Sequence, residues 1–181
     1  KGQMIDLKDT GKNKKRIIFH APTRGLMGYT SRFLTLTKGN GVINRIFHSF
    51  GKYTGDLEGR RNGALISMAS GKAVAFAIFN LQARGEMFVT HNDAVYEGMI
   101  VGLSSKSGDL EINVMKGKQL TNMRTQGTDE NVVLTPVRAM SIAEQLSMLN
   151  TDEALEITPK SLRLRKSMLN PHDRKRKSKA S

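Results

Sequence analysis

The sequence contains no cysteine and no tryptophan, only four prolines, and no uninterrupted apolar run longer than Ala73 to Phe79. Without cysteine there is no disulfide framework, no thiol nucleophile and no zinc-thiolate site, a composition compatible with a reducing cytoplasm. The apolar run falls far short of the roughly 18 residues that a membrane span needs, so no membrane partner is expected. Phosphate-binding machinery is missing as well, because G-x-x-x-x-G-K-[ST] occurs nowhere. Gly39-Asn40-Gly41 starts a G-x-G-x-x-G pattern, but Asn44 takes the place of its third glycine. His20, His48, His91 and His172 are widely separated and lack metal-ligand spacing, and no G-x-S-x-G is present. The adjacent acids Asp129 and Glu130 read as solvated loop charges rather than a general acid and base. Enzyme chemistry is therefore not expected, and no metal or cofactor is expected in this chain.

What the sequence has in excess is positive charge. It carries 29 Lys and Arg against 16 Asp and Glu over 181 residues, a formal +13 with a pI near 10.2, which points to a polyanionic partner. The excess is unevenly placed. Residues 1–50 hold 10 basic and 2 acidic groups, and residues 160–181 hold 9 and 1, whereas 51–159 are close to balanced.

The expected fold class is α+β. Residues 3–7 and 16–20 read as two strands joined by a polar turn around Gly11. Leu26, Tyr29, Phe33 and Leu36 follow Pro22 and Thr23 at helical spacing, and Lys38-Gly39-Asn40-Gly41 stops that helix. The apolar run 42–50 reads as a strand, so the first fifty residues are expected as β-β-α-β, with a boundary in the Gly-rich loop 51–62. Beyond it, 64–69, 72–79, 87–90, 99–104 and 110–115 read as strands, with turns at Ser70-Gly71 and Ser107-Gly108-Asp109. Ser141 and Glu144 form a capping box for a helix over 141–149. Residues 155–158 and 161–165 read as strands, with Leu162 and Leu164 toward the core and Arg163 and Arg165 toward water. Asn170-Pro171 opens a last helix. The first residue is Lys1, from which a longer polypeptide is expected.

Between 116 and 131 the hydrophobic rhythm disappears. Lys116, Lys118 and Arg124 stand among Gln119, Thr121 and Asn122, with no acid before Asp129. These groups can neutralise phosphates and bond ribose hydroxyls and base edges, and a long polar loop of this kind is usually either functional or disordered. No aromatic residue lies in it, which favours folded RNA gripped through its backbone over stacking on single strands. The basic tail 160–181, with Arg163, Arg165, Lys166, Arg174 and Lys175, is expected to add general attraction to RNA.

Pro22-Thr23-Arg24-Gly25-Leu26-Met27-Gly28-Tyr29, Arg60-Arg61-Asn62-Gly63, Gly71-Lys72-Ala73-Val74-Ala75 and, above all, Gly117-Lys118-Gln119-Leu120-Thr121-Asn122-Met123-Arg124 with Gly127-Thr128-Asp129-Glu130 follow one another in a familiar order. Together they make the chain resemble the C-terminal half of the BipA/TypA ribosome-associated GTPases. The resemblance implies that residues 1–50 are the trailing part of an elongation-factor-G-like domain V, a partial ferredoxin-like segment lacking its first strand and helix. Residues 51–181 would be the family-specific, mainly β C-terminal domain with short helices, including the loop 116–131 and the tail 160–181. It further implies a cytoplasmic, monomeric, ribosome-associated protein whose polar loop contacts large-subunit rRNA and the acceptor end of A-site tRNA. GTP and Mg would belong to an N-terminal G domain outside this chain. Two other readings are an RNA-binding or ribosome-assembly module outside the elongation cycle and an interaction module for an acidic protein.

Overall fold

A computed structural model describes residues 1–11, 13–55, 60, 62–117, 133–137 and 139–180. The chain divides into two units, one formed by 1–59 with 141–148 and the other by 60–140 with 149–181.

In the first unit β1 (Gln3–Asp9) and β2 (Lys15–His20) form an antiparallel hairpin, as the two apolar runs predict. Its turn is closed by Asp9, whose carboxylate accepts the Gly11 N–H at 2.9 Å. A 3-10 turn (Thr23–Leu26) leads into α1 (Tyr29–Leu36), where a single helix is expected from sequence. Gly28 marks the break. Its φ of +69° favours glycine, and a Cβ there would come within 3.0 Å of the Ala143 carbonyl oxygen on α3 (Ile142–Met148). The capping box forms: the Ser141 N–H donates to Glu144 Oε2 at 2.9 Å, and the Glu144 N–H returns to Ser141 Oγ at 3.3 Å. The strand expected over 42–50 does not form. A strand needs a neighbour for its ladder hydrogen bonds, and the sheet of this unit contains β1 and β2 alone among the described residues. Val42, Ile46, Phe47 and Phe50 are accordingly exposed.

The second unit is built on a four-stranded sheet in the order β5-β7-β3-β8, from β3 (Ala64–Ser67), β5 (Gly85–Met87), β7 (Ile100–Ser104) and β8 (Leu110–Ile112). β3 runs antiparallel to β7 and parallel to β8. The turn around Ser107-Gly108-Asp109 therefore does not close a hairpin, because β3 lies between the strands it joins. A second small ladder pairs β4 (Gly71–Lys72) with β6 (Ala94–Val95). Strand periodicity sorts the core: Leu65 faces one cluster with Val101, Ile112 and Val114, while Ala64 and Ile66 face another with Ile100 and Leu164.

Residues 72–79 read as a strand, but the chain forms α2 over Ala75–Gln82. A short apolar run does not distinguish a buried strand from a buried helix by period, and Ala75 and Ala77 favour the helix. α2 covers the Leu65 face through the fully buried Ile78, and the hairpin of β9 (Glu153–Ile157) and β10 (Leu162–Lys166) covers the other through Leu164 and Leu155. The last element is α4 (Pro171–Ala180). Replacing Ile78 by Ala should cost about 2–5 kcal/mol in urea unfolding followed by circular dichroism, whereas Lys72→Ala on the exposed β4 should stay within about 0.5 kcal/mol.

Candidate nucleic-acid interface

The cations of β10 and α4 fall into three environments, set by strand period and by the carboxylates each side chain meets. Leu162, Leu164 and Lys166 share one face of β10, so the alternation that buries Leu164 also carries Lys166 inward, to 1% exposure. Its ammonium there meets Asp109 Oδ2 at 2.6 Å, Asp152 Oδ2 at 2.7 Å and Glu153 Oε1 at 2.9 Å. Glu153, its cross-strand partner, also receives both Nη atoms of Arg60, at 2.6 and 2.5 Å. Asp109 further accepts the Ala64 N–H at 2.7 Å. Burial works to lower the Lys166 pKa, yet the three carboxylates outweigh it and hold the group above the ordinary lysine value. For Glu153, burial works upward and is outweighed by Arg60, the Asn150 N–H and Lys166, so its carboxyl sits below the usual range. Asp109 is lowered in the same way, burial being overcome by the Ala64 N–H, Lys166 and Arg60. Lys166, expected from sequence among the RNA contacts, is thus a structural cation with its charge already matched.

The opposite face of β10 is different. Arg163 and Arg165 are about one-third exposed and share Glu156, at 3.4 and 4.0 Å. The same carboxylate accepts the Tyr96 hydroxyl at 2.6 Å. Burial, followed by this bond to Glu156, pushes the Tyr96 pKa up to about 12, so the phenol keeps its proton as a donor.

The third environment is α4. Asn170 caps it by accepting the His172 N–H at 2.8 Å, as the Asn-Pro pair predicts. Arg174 is mostly buried. It ties the helix to β8 through Glu111 at 2.9 Å and donates to the carbonyls of Met168 and Leu169, so it too serves the fold rather than a free surface. Lys175, Arg176 and Lys179 point outward, Arg176 with Asp173 at 3.3 Å, and the basic last turn suits the helix dipole. Lys116 is exposed at the start of the polar loop. Lys118, Gln119, Thr121, Asn122 and Arg124 lie outside the described residues. Among the described residues no group of three or more acidic or His side chains is placed to hold a metal ion, and no helix is long and apolar enough to cross a membrane.

Comparison with known proteins matches two family models along the chain. The family model described as TypA/BipA C-terminal domain matches residues 62–171, and that described as elongation factor G C-terminus matches 1–61. Two relatives named large ribosomal subunit assembly factor BipA, from Escherichia coli K12 and Bacillus subtilis 168, are each 44% identical over 99% of this chain. A third of that name, from Salmonella typhimurium LT2, is 45% identical over 97%. The chain spans 29–30% of the length of these relatives.

Breaking the buried network has a definite signature. Lys166→Ala should cost about 3 kcal/mol, the low end for a broken buried ion pair, because the buried Glu153 keeps only Arg60 while Asp109 and Asp152 are partly exposed to water. The depressed Asp109 and Glu153 values make their contribution present in full above the ordinary carboxylate range, about pH 4, and lost as pH falls through the lower folded values. The raised Lys166 value makes its contribution complete below about pH 10.4 and lost only as pH rises through the higher folded value. Stability measured by urea unfolding from pH 2 to 8 should therefore fall on the acid side, and less steeply in Lys166→Ala.

Proposed function

Since the chain belongs to the TypA/BipA family, through its C-terminal domain, we propose that it is the ribosome-contacting portion of a translational GTPase of that type. In this reading the loop 116–131 approaches large-subunit rRNA and the acceptor end of A-site tRNA. Lys116, Lys118 and Arg124 neutralise phosphates there, while Gln119, Thr121 and Asn122 set register by hydrogen bonds. The outward cations of α4, Lys175 among them, add attraction that follows RNA charge rather than RNA sequence.

The observation that carries this reading is the sorting of charge in the second unit. Arg60, Lys166 and Arg174 are buried or nearly so and are matched by carboxylates, whereas Lys116, Lys175 and Lys179 are exposed. Only the second group is open to a polyanion, and it adds to a chain whose formal charge is +13. This portion acts by binding. GTP and Mg would be handled by a G domain elsewhere in the polypeptide, and the whole would act as a cytoplasmic monomer on the ribosome.

The relatives' name, large ribosomal subunit assembly factor, favours a second reading in which the bound particle is an immature large subunit outside the elongation cycle. Sedimentation of the intact polypeptide with immature large subunits, vacant ribosomes and tRNA-filled ribosomes separates the two by which particle is held most tightly. In either case Lys116→Ala, Lys118→Ala and Arg124→Ala combined should reduce the slope of log affinity against log salt by about 2–3, at about 0.7–0.9 per phosphate contact. A slope and affinity equal to the parent's at every salt concentration would sink the loop assignment.

A further inference from the structure

Two arginine environments in the same unit invite comparison. Arg60 is 8% exposed and makes two short parallel bonds to Glu153, at 2.5 and 2.6 Å, so its fork is filled. Arg163 and Arg165 are 32% and 33% exposed and divide one carboxylate between them. Their distances to Glu156, 3.4 and 4.0 Å, are longer than the roughly 2.7–2.9 Å of a charged N–H to oxygen bond. The short bond that Glu156 does make, 2.6 Å, is to a neutral phenol.

The backbone explains the deficit. Glu156 lies directly across the hairpin from Arg163 and diagonally from Arg165, whose own cross-strand partner is Ala154. Arg165 donates from Nη1 to the Lys166 carbonyl at 3.2 Å. The neighbourhood thus holds two guanidiniums, one carboxylate and one phenol, with a net charge of +1. The two guanidiniums stand two residues apart on the same strand face, about 7 Å along it. That face is the one directed away from the buried network of Lys166.

We propose that Arg163 and Arg165 form a seat for a phosphodiester of folded RNA, with Glu156 occupying it as an internal stand-in until RNA arrives. A phosphodiester carries the same single charge over two oxygens as a carboxylate, but it is not tethered to β9 and can settle between the two forks, whereas Glu156, fixed across from Arg163, comes no nearer than 4.0 Å to Arg165. Tyr96, kept protonated, holds Glu156 beside the seat and donates there. The seat rests on the RNA-binding reading above and refines it. The tail is not uniformly unspecific: β10, fixed in the sheet unit by its bridge from Arg165 to Met99, gives one phosphate a defined position, while α4 supplies diffuse attraction.

The test compares four forms of the intact polypeptide on vacant large ribosomal subunits and on bulk tRNA across a salt series: the parent, Arg163→Gln with Arg165→Gln, Glu156→Gln, and Lys175→Gln with Lys179→Gln. The arginine pair should lose about 0.7–0.9 from the salt slope, the value of one phosphate, on the RNA that fills the seat. Glu156→Gln should bind that RNA about two- to fivefold more tightly, the gain from removing a competitor that is about one-third exposed. The α4 pair should weaken both RNAs alike. Phenylglyoxal labelling read by mass spectrometry supplies a measurement on the parent itself, in which bound RNA should protect Arg163 and Arg165. This last result decides the matter if Glu156→Gln fails to fold. Equal labelling with and without RNA overturns the seat, as does a folded Glu156→Gln that binds no more tightly than the parent. Those outcomes, with the loop and α4 effects intact, leave the broader reading standing; a parent that holds neither RNA removes the broader reading as well.

Discussion

The contact on which the second unit depends is the ammonium of Lys166 among Asp109, Asp152 and Glu153. The acids come from two stretches: Asp109 precedes β8, whereas Asp152 and Glu153 are adjacent at the start of β9. Arg60, at the start of the unit, shares Glu153, so one cluster joins the β9–β10 hairpin to two segments far from it in sequence. Replacing such a cluster wholesale by apolar side chains is often tolerated or even stabilising, so its worth is not a simple gain in free energy. Its value is constraint. Asp152 and Glu153 travel with the hairpin, so the lysine's third carboxylate, Asp109, is reached only when the hairpin sits against β8, and an apolar residue would impose no such condition. Asp109 adds to the constraint by also accepting the N–H of Ala64, the first residue of the central strand β3.

With the hairpin registered in that way, its other face has a fixed orientation. The pleat that directs Lys166 into the cluster directs Arg163 and Arg165 to the opposite side, beside Tyr96 and Glu156. A buried ion cluster and an exposed basic pair are therefore two consequences of one strand. Net charge alone does not distinguish them: a +13 total counts Lys166, Arg60 and Arg174 equally with Lys175, although the first three have carboxylates within 2.9 Å or less.

Much of this was legible in the residues and some was not, for physical reasons that differ by element. The β1–β2 hairpin, the Ser141–Glu144 box and the Asn170 cap depend on neighbours within a few positions, so local chemistry suffices to read them. α2 was read as a strand because a seven-residue apolar run buried on most sides has no telling period. The order β5-β7-β3-β8 was hidden because β8 pairs with β3 across 45 residues, a choice made by packing on both sheet faces. The run 42–50 has the composition of a strand but, among the described residues, no partner to ladder with, and propensity cannot supply one. Lys166 was the avoidable error. The alternation used to place Leu162 and Leu164 inward extends by one step to Lys166, and a lysine on a core face demands buried acids, which Asp152 and Glu153 supply just ahead of the hairpin. The family motif Arg60-Arg61-Asn62-Gly63 likewise contains a residue whose role is this cluster, so recognising a motif did not reveal what it does.

α4 makes the complementary point about stability and function. Its sequence, Pro171–Ala180, has no apolar stripe, so packing cannot be what keeps it helical. It is held at one end, by the Asn170 cap, by Asp173 in the first turn and by the anchor from Arg174 to Glu111, with Lys177 and Lys179 favourably placed at the other. A helix secured in this way needs no partner along its sides, and its lysines can meet a polyanion without uncovering a core. Burying an apolar face would have given a firmer helix and removed that surface. The fold accepts a weak helix after β10 because the strength it needs lies one strand earlier, in the carboxylates around Lys166.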